Sequence, residues 1–203
     1  IEKMRPEIRT DSYSMSIGEW ISLYQNDEID IHPEFQRFFR WDNIQKTRVI
    51  ESVLLGIPIP PIFVSQRQDG VWDVIDGLQR LSTIYQFVGI LKDEEGNLVE
   101  PLVLEKTKYL PSLQGKRWDA HDNPEHAFDA SQRLYIKRAK LHANILLMES
   151  DEVAKYELFQ RLNTGGSQLS DQEIRNCILV QLNRNMFLWM RELAGYESFK
   201  ECV

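Results

Sequence analysis

The run Asp76-Gly77-Leu78-Gln79-Arg80 sets a carboxylate, a glycine, an amide and a guanidinium side by side, at the point where a strand-like pattern gives way to helical spacing. Two kinds of chemistry suit such a turn. In one, Asp76 is a helix N-cap whose carboxylate accepts a backbone N–H, and Gln79 reaches back to complete a capping box. In the other, Gly77 lets a ligand approach the first-turn amides, and these together with the helix dipole favour an anion. Arg80 in a first turn is disfavoured by the dipole unless it meets an acid or an anion. Gln79, Arg80 and Thr83 share a polar flank opposite Leu78 and Leu81. The residues alone leave capping and ligand binding both open.

Two further clusters bear on the question. In "FQRFFRWD", Gln36, Arg37 and Arg40 stand among aromatics. Guanidinium groups grip phosphates in a fork, and aromatic rings can stack on a base. The same loop also reads as one whose Phe35, Phe38 and Trp41 plug a core while its arginines pair with acids. In "FQRLNTGG", Arg161 and Asn163 precede the pair Gly165-Gly166, which suits a left-handed helix end and an open backbone turn, or simply a link between two helices. His121, Asp122 and His126 in "HDNPEH" make a weak metal candidate beside the reading of a solvated loop. No G-x-x-x-x-G-K-[ST], H-E-x-x-H or G-x-S-x-G is present, which excludes a Walker-type ATPase and the zinc-protease and α/β-hydrolase signatures.

These clusters need a scaffold, and 203 residues with 42% hydrophobic and 27% charged side chains can supply one. The net charge of −7, from 24 basic and 31 acidic residues, opposes non-specific duplex binding by the whole surface and leaves room for a local basic cleft. Cys177 and Cys202 lack metal-like spacing, no signal peptide is visible, and the most apolar run is broken by Glu51 and prolines. A cytoplasmic protein with reduced thiols and no membrane segment is expected. The first residue is Ile1 and the sequence stops at Val203 within a helical pattern, so a fragment with more protein beyond Val203 is also expected.

Capping boxes at Ser16/Glu19 and Asp42/Gln45 predict two helices, the second ending at Gly56. "PIFVSQRQDGVWDVI" predicts a hairpin, and the helix after Asp76 carries Leu78, Leu81, Tyr85 and Val88 on one face. The first ten residues read as an arm and "IDIHPEF" as loop; Glu100 to Arg133 gives no clear assignment. "AKLHANILLM" predicts a strand, and the chain after Asp151 reads as helical, with a capping box at Ser170/Glu173 and a last helix over about Asn183 to Leu193. The order predicts an α+β fold: a small mixed sheet flanked by helices, with a helical C-terminal part. The expected division is a core over 1–150 and a helical subdomain over 151–203.

Taken in order, "FQRFFRWDNIQKTRVIESVLLGIPIPPIFV", "VIDGLQRLSTI" and "LFQRLNTGGSQLSDQEIRN" resemble the N-terminal domain of Gmr-type modification-dependent restriction endonucleases, in the wider ParB/sulfiredoxin-like group. The family motif usually reads D-G-Q-Q-R; Asp76, Gly77, Gln79 and Arg80 match it, and Leu78 replaces the first glutamine. The resemblance implies binding and hydrolysis of a nucleoside triphosphate, with nuclease activity in a separate or C-terminal domain and DNA contacted through the full-length protein. It implies phosphates at the Gly77 helix start, held by Gln36, Arg37, Arg40, Gln79 and Thr83. Asp76 and Arg80 would be catalytic, with Asp76 toward Mg²⁺ or water, and the turn at Arg161, Asn163, Gly165 and Gly166 would act as a switch. Rival readings are a non-catalytic nucleotide or modified-DNA sensor, a purely structural adaptor, and a ParB-like DNA binder or nuclease. The last requires a basic face gathering Arg37, Arg40, Arg67, Arg133, Lys137, Arg138 and Lys140.

Overall fold

The computed structural model describes residues 10–31, 41–120, 123–147, 179, 183, 185–194 and 196. The chain divides into two units, Glu7–Ser150 and a second made of Ile1–Pro6 with Asp151–Val203. In the second, residues 179, 183 and 185–194 are helical and Phe187 is buried. Cys177, Cys202 and the Ser170/Glu173 pair lie outside the described residues.

The first unit holds β1 (Thr10–Ser16), α1 (Ile17–Gln25), β2 (Ile29–Asp30), α2 (Asn43–Leu55), β3 (Ile62–Gln66), β4 (Trp72–Asp76), α3 (Leu78–Val88), α4 (Ala130–Arg138) and β5 (Lys140–Leu146). The strands form one mixed sheet in the order β1-β5-β3-β4-β2. β1 with β5 and β3 with β4 are antiparallel, whereas β5 with β3 and β4 with β2 are parallel. The architecture is α+β, as the element order predicts.

Alternation along the strands makes one face of this sheet apolar. Leu141, Ala143 and Ile145 of β5 line up with Ile62 and Val64 of β3 and Val74 of β4, and all are buried. α1 docks there through Trp20, fully buried, whose indole Nε1–H donates to the Leu141 carbonyl at 3.2 Å. α3 docks on α1: the Tyr85 hydroxyl donates to the Trp20 carbonyl at 3.1 Å, and the Tyr24 and Tyr85 rings stack with centroids 4.3 Å apart. Each such side chain withdrawn from water contributes about 1.5–3 kcal/mol before entropy is counted.

The predicted hairpin is β3–β4, closed by Arg67 N–H donating to the Val71 carbonyl at 2.9 Å. Gly56 ends α2 in the left-handed region, at φ 68°, where glycine is unstrained. Three elements escape the sequence reading: β1, within and beyond the supposed arm, the two-residue β2, and α4, in the unassigned stretch. That stretch is anchored from α2. The buried Glu51 carboxylate accepts from the Thr107 hydroxyl and from the N–H groups of Tyr109 (3.2 Å) and Leu110 (3.0 Å). Thr47 Oγ1 accepts from Glu105 N–H at 3.1 Å.

Candidate functional site

α3 does not begin as a capping box. Asp76 is the last residue of β4, paired with Phe63, so its backbone belongs to the sheet. The N-cap is Gly77 at φ 98°, ψ 8°, and no side chain caps the helix. Leu81 N–H donates to the Gly77 carbonyl at 3.0 Å, and the N–H groups of Leu78, Gln79 and Arg80 come too early in the helix to find an acceptor within it. The Asp76 carboxylate turns instead to its own helix: Arg80 Nη2 donates to Oδ2 at 2.6 Å, an i,i+4 ion pair with 12% of the arginine side chain and 34% of the aspartate side chain exposed. An acid beside the dipole's positive end is what an arginine there requires.

Glycine at this position has two structural causes. Its φ lies where a Cβ is strained, and a Cβ built there would overlap Cδ1 of the buried Ile62. It would also stand 3.2 Å from Arg80 Nη2. The close approach that the sequence raised as a sign of a ligand is therefore made by the protein itself.

Gln79 turns toward α2: the Trp41 N–H points at Gln79 Oε1 at 3.4 Å, a long hydrogen bond across a separation of 38 residues. One residue on, Asp42 caps α2, accepting from Gln45 N–H at 2.7 Å while Gln45 Oε1 accepts from Asp42 N–H at 3.0 Å. Lys46 Nζ, in the next turn of α2, donates to Gln86 Oε1 of α3 at 2.9 Å, and burial pushes the Lys46 ammonium pKa below its ordinary value. The end of the arginine-bearing loop and the first turns of α2 thus run along the Gln79–Gln86 flank of α3. Thr83 lies on that polar flank and is only 1% exposed, and its hydroxyl has no hydrogen-bond partner among the described residues. Leu78, on the predicted apolar stripe, is buried.

The structure therefore brings Asp76, Gly77, Gln79, Arg80 and Thr83 together and adds Lys46, which sequence reasoning missed because its only signal is a helical position facing another helix. Gln36, Arg37, Arg40, Arg161, Asn163, Gly165 and Gly166 lie outside the described residues, as do His121 and Asp122. His126 Nδ1 lies 2.9 Å from the Gly115 carbonyl oxygen, and no group of three or more His, Cys, Asp or Glu able to hold a metal occurs among the described residues.

The proposed basic face is partly neutralised. Arg67 Nε donates to Asp73 at 2.8 Å and Arg67 Nη2 to Asp30 at 2.7 Å. The hydrogen bonds that Arg67 donates to Asp73, reinforced by the one to Asp30, hold the guanidinium pKa above its ordinary value against the opposing effect of burial. Arg133 Nη1 lies 3.4 Å from Asp119, and Lys137 Nζ sits over the Trp118 ring at 5.9 Å. Among the described residues no helix is long and apolar enough to cross a membrane.

The family model described as "GmrSD restriction endonuclease, N-terminal domain" matches residues 17–180, a span that contains all three sequence clusters. No curated protein and no solved structure matches the chain.

Proposed function

Because the chain belongs to the family of GmrSD restriction endonuclease N-terminal domains, we propose that it binds and hydrolyses a nucleoside triphosphate as a regulatory domain of a Gmr-type restriction system, with the phosphates over the start of α3. The observation that carries this reading is the approach of Trp41 to Gln79, which sets the end of the arginine-bearing loop against a helix start that no side chain caps. The N-terminal end of a helix, with its N–H groups and dipole, attracts phosphate oxygens, and Arg80 adds a guanidinium. Arg37 and Arg40 reach the phosphates from the loop in this reading.

Mg²⁺ is commonly held by one or two carboxylates plus phosphates and water. Asp76, with a third of its side chain open to solvent, fits that role. The ion, when bound, neutralises phosphate charge. Asp76 and Arg80 then exchange their mutual contact for opposite partners, the carboxylate taking cation or water and the guanidinium taking phosphate. Catalysis consists of positioning and charge stabilisation, as phosphoryl transfer demands. Loss of nucleotide would be passed to a nuclease domain, with the turn at Arg161–Gly166 as the moving part.

A second reading, a sensor that binds without turnover, is favoured by Leu78: it replaces the family's first glutamine and is buried, so that polar contact is lost from the site. Phosphate release from each of the four ribonucleoside triphosphates with Mg²⁺, wild type beside Arg80→Ala, separates the two. Release abolished by Arg80→Ala supports the hydrolase. Binding without release identifies the sensor, and no binding removes the site from α3.

A further inference from the structure

A concave surface lies elsewhere in the first unit, and none of its lining residues belongs to α3 or to the turn before it. It is a groove of about 590 Å³ between the C-terminal end of α2 with the segment Gly56–Ile59, and α4 with the start of β5. Its two sides differ in chemistry. Val53, Ile57, Pro58 and Ile59 form an aliphatic wall, and α4 adds Leu134 and Tyr135 opposite. Ile57, Leu134 and Tyr135 are 46%, 45% and 52% exposed, which is a large share for apolar side chains gathered in one place. Arg138, Lys140 and His142 supply the polar side, all exposed, and no acid lines the groove. Neither Arg138 nor Lys140 has a carboxylate in salt-bridge contact among the described residues. Lys140 pairs with Ser16 across β1 and β5, and its charge adds to the Ser16 hydrogen bonds that hold the Glu19 carboxyl below its ordinary range.

Arg138 and Lys140 in a lining without an acid, in a chain of net charge −7, make a local reversal of sign, and they adjoin an exposed aliphatic wall. We propose that this groove docks a partner protein through an amphipathic helix that has an aliphatic stripe and acidic residues along one flank. Charge complementarity selects the acids, and the wall selects the stripe. Strand addition is unsuited to the aliphatic side, because Pro58, Pro60 and Pro61 carry no N–H to donate to an added strand. A nucleic-acid strand fits less well: successive bases need successive stacking platforms, and the lining offers one large aromatic ring, Tyr135, besides the imidazole of His142. The volume suits anchoring by a few side chains, as in other helix-in-groove contacts.

The test is fluorescence anisotropy on the 203-residue chain with a labelled acidic helical peptide carrying leucine at i, i+3, i+4 and i+7 and glutamate between. The expected result is saturable binding that falls about tenfold or more with the double change Arg138→Glu and Lys140→Glu, and separately with Leu134→Ser. All three positions are exposed, and unchanged near-UV circular dichroism identifies variants that still fold. A control peptide with leucines replaced by serine is expected not to bind. Equal binding of that control, indifference to both sets of variants, or no saturable binding of the leucine peptide overturns the proposal. So does binding of a single-stranded oligothymidylate that competes with the peptide or takes its place, since the groove would then be a nucleic-acid site.

Discussion

α2 and α3 each follow an acid, yet they begin in opposite ways. Asp42 itself lies in no strand; its backbone takes φ −70°, ψ 169° and its carboxylate accepts from the Gln45 N–H of the first turn. Asp76 precedes α3 from inside β4, where pairing with Phe63 holds its backbone, and the cap position passes to Gly77. α1 and α4 follow the α2 pattern, with closed boxes at Ser16/Glu19 and Asp129/Gln132. Strand pairing does not decide this by itself, because Ser16 ends β1 paired with Lys140 and still caps α1. The difference at α3 is the one residue, Gly77, that stands between strand and helix and brings no side chain to the cap position.

The sharpest way to break this comparison is Gly77→Ala. A left-handed alanine and the overlap with Ile62 together predict a loss of about 3 kcal/mol in denaturant unfolding. Ile62→Val removes the overlapping Cδ1 and is expected to cost about 1 kcal/mol alone, but the double variant should be more stable than the sum of the two losses predicts. Strict additivity would mean that backbone strain is the whole reason for the glycine. Next in size is Asp42→Ala, which removes a working cap and is expected to cost about 1 kcal/mol. Arg80→Ala should cost less, under about 1 kcal/mol, because a single i,i+4 pair with a partly exposed acid contributes little to stability. A large loss there, with nucleotide affinity unaffected, would make α3's start structural after all.

The smallest effect is a pH dependence at α1. Hydrogen bonds from the Ser16 hydroxyl and N–H hold the Glu19 carboxyl below its ordinary range. A depressed folded value means the stabilisation is complete above the unfolded carboxylate pKa and is lost as pH falls through the folded one. The Ser16 amide shift, followed by NMR on acidification, should move at that lower pH, and Glu19→Gln should abolish the step.

Much of the core was legible because its signals are local. The Asp42 and Ser16 boxes, the hairpin and the Gly56 stop each lie within a few consecutive residues. What escaped depends on distant partners. β1 reads as polar because it is an edge strand, most of whose side chains face water, and its register is set by β5 some 132 residues away. β2 exists only as two residues laid parallel to β4. α4 buries Ile136 alone, too little for a stripe. At the site, periodicity located Leu78 and Leu81 but gave Thr83 only as part of the polar flank, because the spacing of one helix carries no trace of what packs against it. The exchange of Asp76 for Gly77 as cap was hidden in the same way, since a pairing with Phe63 leaves no mark in the five residues of the motif.

Glu51 has a further consequence for how the family can vary. It grips the stretch after Glu105 chiefly by main-chain amides, which every residue except proline provides. Tyr109 and Leu110 can therefore drift to almost any other side chain without loosening that grip, while a change at Glu51 takes an acceptor from three donors at once and leaves Leu110 N–H with Thr107 Oγ1 at 3.2 Å. Related sequences should accordingly diverge freely across this connection and hold an acid at one point on α2, a pattern in which the fixed letter lies more than fifty residues upstream of the segment it secures.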